Sequence, residues 1–256
     1  MIPSPIRTVL SSIEARRVRA LLMGGQACIL YGAAEFSRDT DLAVLASPGN
    51  LARLRSALAD LRAEVIAVPP FEARYLRRGH AVHFRCQHPK APGMRVDVMA
   101  RMRGVDSFSR LWARRNSIEL PDGARCEVMS LPDLVQAKKT QRDKDWPMLR
   151  RLLEADYFLE GQTPSARQVR FWLRELRTPE LLVEAAERWP AACARLKQRR
   201  PLLCMARPGQ QSRLADALAA EERRERQADV RYWAPLKSEL EALRLERVRR
   251  PANLLQ

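Results

Sequence analysis

The chain has 256 residues, 46% of them hydrophobic, which suffices for one large domain or two modest ones with a packed core. Its 46 lysines and arginines against 30 acidic residues give a formal charge of +16, a field that favours polyanions, although an arginine-rich genome composition alone can produce such an excess. Five scattered cysteines form no CxxC pair and exclude a disulfide frame or zinc knuckle; an aromatic content of 6% excludes a base-stacking platform, and no uninterrupted apolar run is long enough to span a membrane. The N-terminal segment has no apolar core of the signal-peptide kind, so a cytoplasmic protein without membrane contact is expected.

In chain order, "VRALLMGG" (Val18 to Gly25) is a short apolar strand stopped by glycine, and "QACILYGAA" has the composition of a helix. "DTDLAVLA" is again strand-like. In "PGNLARLRSALADLRAE", Leu51, Leu54, Leu58 and Leu61 recur at helical spacing. His80–Cys86 and Met94–Ala100 alternate and are joined by a loop with Pro89, Pro92 and Gly93, the pattern of a hairpin. Short strand candidates at "SIEL" and "RCEVMS" end the strand signal. A helix start follows at Ser130 as N-cap, with Pro132 in the first turn and Asp133 placed to reach free amides. Pro147 predicts a second helix beginning near Lys144, and further helices are expected over 168–177, 179–188, 211–226 and 228–249, with residues 249–256 disordered. The expected organisation is an α/β domain over 1–128 and a helical domain with a basic surface over 129–256.

Asp39 and Asp41 lie two apart on a strand and project from one face. Two neighbouring carboxylates repel, and a hard divalent cation relieves this; a solvated strand edge is the plainer alternative. Gly24-Gly25 sits at a strand-to-helix turn, where a backbone can approach a phosphate closely, or simply makes a tight turn. Asp97 lies mid-strand, either compensated by a cation or on a solvated face that it shares with Arg95. His80 and His83 stand an odd number of residues apart, with no cysteine to complete a tetrahedral set, and are expected to be structural rather than zinc ligands. Trp146, Trp172, Trp189 and Trp233 fit helix packing.

These residues together resemble the DNA polymerase beta-like nucleotidyltransferase superfamily: a strand ending in Gly24-Gly25, a short helix, the Asp39-x-Asp41 strand and a third aspartate, Asp97, on a later strand. "GGQACILYGAAEFSRDTDL" is most similar to bacterial AbiEii-type toxin or defence nucleotidyltransferases, whose segment reads Ser-x-Asp-x-Asp. "LPDLVQAKKTQRDKDW" is similar to their downstream element, a lysine-bearing helix followed by an Arg-x-Lys-Asp turn, here Lys138, Arg142, Lys144 and Asp145. The resemblance spans residues 18 to about 155. Phe36 stands where related groups carry an arginine, and Lys138 and Lys139 compete for one role.

The resemblance implies an α+β fold, a mixed β-sheet flanked by helices and followed by an α-helical C-terminal domain whose first helix contacts phosphate. It also implies transfer of a nucleoside monophosphate from an NTP to a hydroxyl on tRNA or a protein. Asp39, Asp41 and Asp97 would be catalytic and hold Mg²⁺, with Mn²⁺ as the alternative ion, and Asp97 would help deprotonate the acceptor. Gly24, Gly25, Ser37, Lys138, Arg142 and Lys144 would bind the nucleotide. A cognate antitoxin or other partner protein is implied for the toxin class. The competing expectations are a catalytically silent module that binds nucleic acid or a partner protein and, disfavoured by the positive charge, a transferase for small cationic molecules.

Overall fold

A computed structural model describes residues 4–34, 36–120, 123 and 125–249. The expected disorder over 249–256 falls, beyond Arg249, outside the described residues. The chain divides into two compact units, residues 1–30, 35–137 and 231–256 in the first and residues 31–34 and 138–230 in the second. This differs from the boundary expected at residue 128. The segment 131–137 goes with the first unit, and so do the described residues from 231 to 249.

The first unit begins with α1 (Ser4–Ala15), β1 (Ala20–Met23), α2 (Gly24–Leu30), β2 (Asp39–Val44), α3 (Pro48–Asp60), β3 (Glu64–Val65) and α4 (Ala73–Arg78). It continues through β4 (Val82–Arg85), β5 (Arg95–Met99), α5 (Phe108–Ala113), β6 (Asn116–Glu119), β7 (Arg125–Val128) and α6 (Leu131–Ala137). The seven strands form one mixed sheet in the order β3-β4-β5-β2-β1-β7-β6. The expected hairpin is present, with β4 antiparallel to β5, whereas β5 lies parallel to β2 and β1 antiparallel to it. Alternation assigns the faces. Thr40, Leu42, Val96, Val98, Val82 and Phe84 are all buried on one side, while Asp39, Asp41, Arg95, Asp97 and His83 share the other.

α3 is the amphipathic helix read from its leucine spacing. Leu51, Leu54 and Leu58 are buried, and Ser47 caps it by accepting from the Asn50 amide. Asn50 is itself fully buried and satisfied, donating to the carbonyls of Arg19 and Leu45 and accepting from the Arg19 amide. The start of α6 differs from expectation. The Ser130 hydroxyl donates to Asp133 Oδ2 at 2.6 Å, and Arg114 forks onto both Asp133 oxygens at 2.7 Å, so this carboxylate serves an arginine rather than the helix amides.

The second unit holds α7 (Asp145–Glu160), α8 (Ala166–Glu175), α9 (Pro179–Arg188), α10 (Pro190–Leu196), a 3₁₀ turn (Pro201–Met205) and the first part of α11 (Gln211–Arg249). α7 begins where Pro147 predicted, and Ser165 opens α8 with a capping box. Tyr157, Trp172 and Trp189 form an aromatic cluster with centroids 4.9 to 6.4 Å apart, so these tryptophans pack the helices as expected. α11 is a single 39-residue helix, not the two helices expected, and carries Pro235 in its interior. No described helix is long and apolar enough to cross a membrane. The five cysteines are free thiols.

Candidate active site

β1 ends at Met23, opposite Asp41 on β2, and the chain turns into α2 through Gly24 at φ +66°. A Cβ at Gly24 would lie 1.8 Å from Asp41 Oδ2. Glycine is therefore required here twice, by the backbone and by the carboxylate that occupies the space of a side chain. Gly25 is bounded in the same way by Ser37, whose Oγ would be 2.4 Å from an added Cβ. Gln26, fully buried, donates to the Ser37 carbonyl at 2.9 Å and pins this segment before it enters β2; its own Oε1 finds no hydrogen-bond partner among the described residues. Gly24, Gly25, Ser37, Asp39 and Asp41 thus form one local structure.

The third aspartate arrives through the sheet. The parallel register of β2 and β5 pairs Asp41 with Asp97 and Asp39 with Arg95, and the antiparallel register of β4 and β5 pairs His83 with Asp97. Asp41, Asp97 and His83 therefore stand in one row across three strands, on one face. Asp97, only 14% exposed in its side chain, takes His83 Nδ1 at 2.8 Å and Arg95 Nε at 2.8 Å on the same oxygen, Oδ1. An ionised carboxylate only accepts, so in this contact His83 donates through Nδ1; Arg95 Nη2, also a donor, lies 3.1 Å from that nitrogen. Burial pushes the Asp97 carboxyl upward. The hydrogen bonds from His83 and Arg95, with their charge, outweigh it and hold the group below the ordinary carboxylate value. Arg95 in turn gains from Asp97 first, and more weakly from the charges of Asp39 and Asp41.

Neither His83 nor Arg95 was expected at the site. His80 is structural as anticipated: it is fully buried, with Nε2 2.7 Å from Glu239 Oε2. His83 instead touches the third aspartate. The signal was available in the alternation of both strands, but the pairing of β4 with β5 was needed to show which residue His83 faces.

Three carboxylates on one sheet face are hard oxygen donors of the type a small divalent cation prefers, and the ionised state of Asp97 suits that use. In donor chemistry the residues fit such an ion. As placed, no three His, Cys, Asp or Glu side chains among the described residues converge closely enough to hold one. The positive charge bonded to Asp97 belongs to Arg95.

Lys138, Arg142 and Lys144 lie in the second unit, in the loop between α6 and α7; Arg142 and Lys144 are in a turn as expected, whereas Lys138, expected on the helix, follows its last residue. Lys138 and Arg142 are ion-paired with Asp145, whose side chain is 2% exposed. Lys138 Nζ lies 3.1 Å from Oδ1, while Arg142 Nε and the Thr140 hydroxyl donate to Oδ2 at 2.7 and 2.5 Å. Lys139 points elsewhere and is buried against Glu175 at 2.8 Å. Of the two competing lysines, Lys138 is therefore the one in the loop cluster. Lys144 is exposed at the N-cap of α7.

No family model matches the chain, and no curated protein matches it. A crystal structure of an H. pylori protein described as a putative nucleotidyltransferase aligns at 15% identity over 89% of this chain and 94% of that one, with a TM-score of 0.34.

Proposed function

We propose that this chain is a Mg²⁺-dependent nucleotidyltransferase of the toxin or defence type, moving a nucleoside monophosphate from an NTP to a hydroxyl with release of pyrophosphate. The observation that supports this best is the register of Asp41 with Asp97 on parallel strands, with Asp39 on the same face and the Asp41 carboxylate seated against Gly24. Asp39, Asp41 and Asp97 would hold Mg²⁺ or Mn²⁺, which when bound supplies charge neutralisation to the triphosphate. Asp97, kept ionised, is suited to accept the proton of the attacking hydroxyl, and His83 orients its carboxylate. Gly24 and Gly25, packed against the Asp41 carboxylate and the Ser37 hydroxyl, would be the turn that meets the nucleotide phosphates, with Ser37 beside it. Lys138, Arg142 and Lys144 would counter phosphate charge; Lys138 and Arg142 are ion-paired with Asp145, whereas Lys144 is exposed. The charge of +16 favours tRNA or another nucleic acid as acceptor over a cationic small molecule, with an acidic protein or cognate antitoxin as a second partner class.

The hold of Arg95 on Asp97 favours one competing reading, a catalytically silent chain that only binds nucleic acid or a partner protein. Incubation with Mg²⁺, each labelled NTP and bulk tRNA or cell extract separates the two, beside an Asp39→Ala/Asp41→Ala variant. Label on an acceptor with the wild type alone supports transfer. No label, or equal label with the variant, sinks it.

A further inference from the structure

We propose that Arg95 is a built-in competitor of the divalent cation: its guanidinium neutralises the three aspartates, and an ion gains Asp97 only as Arg95 leaves. The inference rests on the reading of Asp39, Asp41 and Asp97 as metal ligands, and it names a residue that governs how that site fills.

Strand geometry makes the competition unavoidable. Arg95 sits two residues before Asp97 on β5 and in register with Asp39 on β2, so its side chain emerges on the face that carries all three carboxylates. Its Nε donates to Asp97 Oδ1 at 2.8 Å, and its Nη2 reaches His83. Three carboxylates on a partly buried sheet face repel one another, and the guanidinium removes much of that cost. A divalent ion answers the same need with more charge, and both cannot use Oδ1 of Asp97 in the same way. The two partners differ in freedom. The Asp97 side chain is 14% exposed and held by the central part of the sheet, whereas that of Arg95 is 40% exposed on a long flexible stem that can turn to solvent. The ion-filled and arginine-filled arrangements therefore exchange through a side-chain movement while the strands stay in place.

The test is Mn²⁺ binding by the full chain without nucleotide, read from the electron paramagnetic resonance of free Mn²⁺. Arg95→Gln is expected to bind about tenfold more tightly than wild type, the equivalent of one charge-assisted hydrogen bond. Arg95→Lys, which keeps the charge but loses the fork, falls between, and Asp97→Asn binds least. A second measurement needs no variant. The Arg95 Nε–H resonance of the wild type, hydrogen-bonded to Asp97 without the ion, is expected to shift to a solvent-exposed position as Mg²⁺ is added. Equal or weaker Mn²⁺ binding by folded Arg95→Gln, or an unmoved Nε–H signal at saturating Mg²⁺, overturns the inference and leaves the metal-centre reading standing. Failure of every form to bind Mn²⁺, even with an NTP present, overturns both.

Discussion

Gly24 is the residue on which the site geometry turns, because the volume of a single methyl group there is already filled by the Asp41 carboxylate. Gly24→Ala is expected to displace that carboxylate and lower transfer on the order of 100-fold, the scale of a misplacement near 1 Å in a reacting centre. Gly32→Ala is the control. It shares a positive φ, +74°, but has nothing within 4 Å of an added Cβ, so it should cost about 1 kcal/mol in urea denaturation and leave transfer intact. Equal activity loss in both variants would refute the argument from space. Asp145 permits a test by pH. Burial pushes its carboxyl up, but the charges of Lys138 and Arg142 and the Thr140 hydroxyl pull it further down. The folded state thus holds the ionised form more firmly than the unfolded state does. That stabilisation is complete above the unfolded carboxylate pKa of about 4 and is lost as pH falls from there through the lower folded value. Denaturation at pH 7, 5, 4 and 3 should show wild type more stable than Asp145→Asn, with the gap closing only below about pH 4. A gap constant to pH 3 would mean the ion cluster contributes little.

Among the elements, α11 departs most from its reading. Two helices, 211–226 and 228–249, are expected from the sequence, yet Asp229 is buried, accepting at 2.8 Å from the Gln141 amide, and the helix runs on. Tertiary contacts of this kind override local preference. Pro235 is a stronger local signal and is also overridden, being exposed in the helix interior where it removes one backbone donor. Pro235→Ala is therefore expected to raise stability by about 1–3 kcal/mol, measured by chemical denaturation; a decrease would show that the proline serves the helix course. The aromatic cluster of the helical unit makes the opposite case. Trp172 is fully buried, and its Nε1 donates to Asp156 at 2.7 Å. Trp172→Ala should cost about 3–5 kcal/mol.

At the scale of the whole molecule, the charge of +16 is the property that bears on partners. If the acceptor is a nucleic acid, tRNA affinity measured by filter binding should fall steeply between 50 and 200 mM salt, on the order of tenfold or more for a few phosphate contacts. An affinity indifferent to salt would direct the search to an uncharged surface or a protein acceptor. Arg177 and Arg200 of the second unit are ion-paired with Glu221, and such pairs use one charge of each sign, so they leave the excess of +16 intact.

Much of this was legible in the order of residues alone. Alternation located β2 and β5, put Asp39 and Asp41 on one face and Arg95 with Asp97 on another, and leucine spacing located α3. Those are local periodicities, set by the two-residue repeat of a strand and the 3.6-residue repeat of a helix. Tertiary structure alone decided that the two carboxylate-bearing faces are the same face, because β2 and β5, more than fifty residues apart, pair in parallel with Asp41 beside Asp97. It also brought His83 and Arg95 onto Asp97 and set Asp41 against Gly24. A strand's pattern says which side each residue faces; which strand lies beside it, and in what register, depends on the packing of the whole sheet.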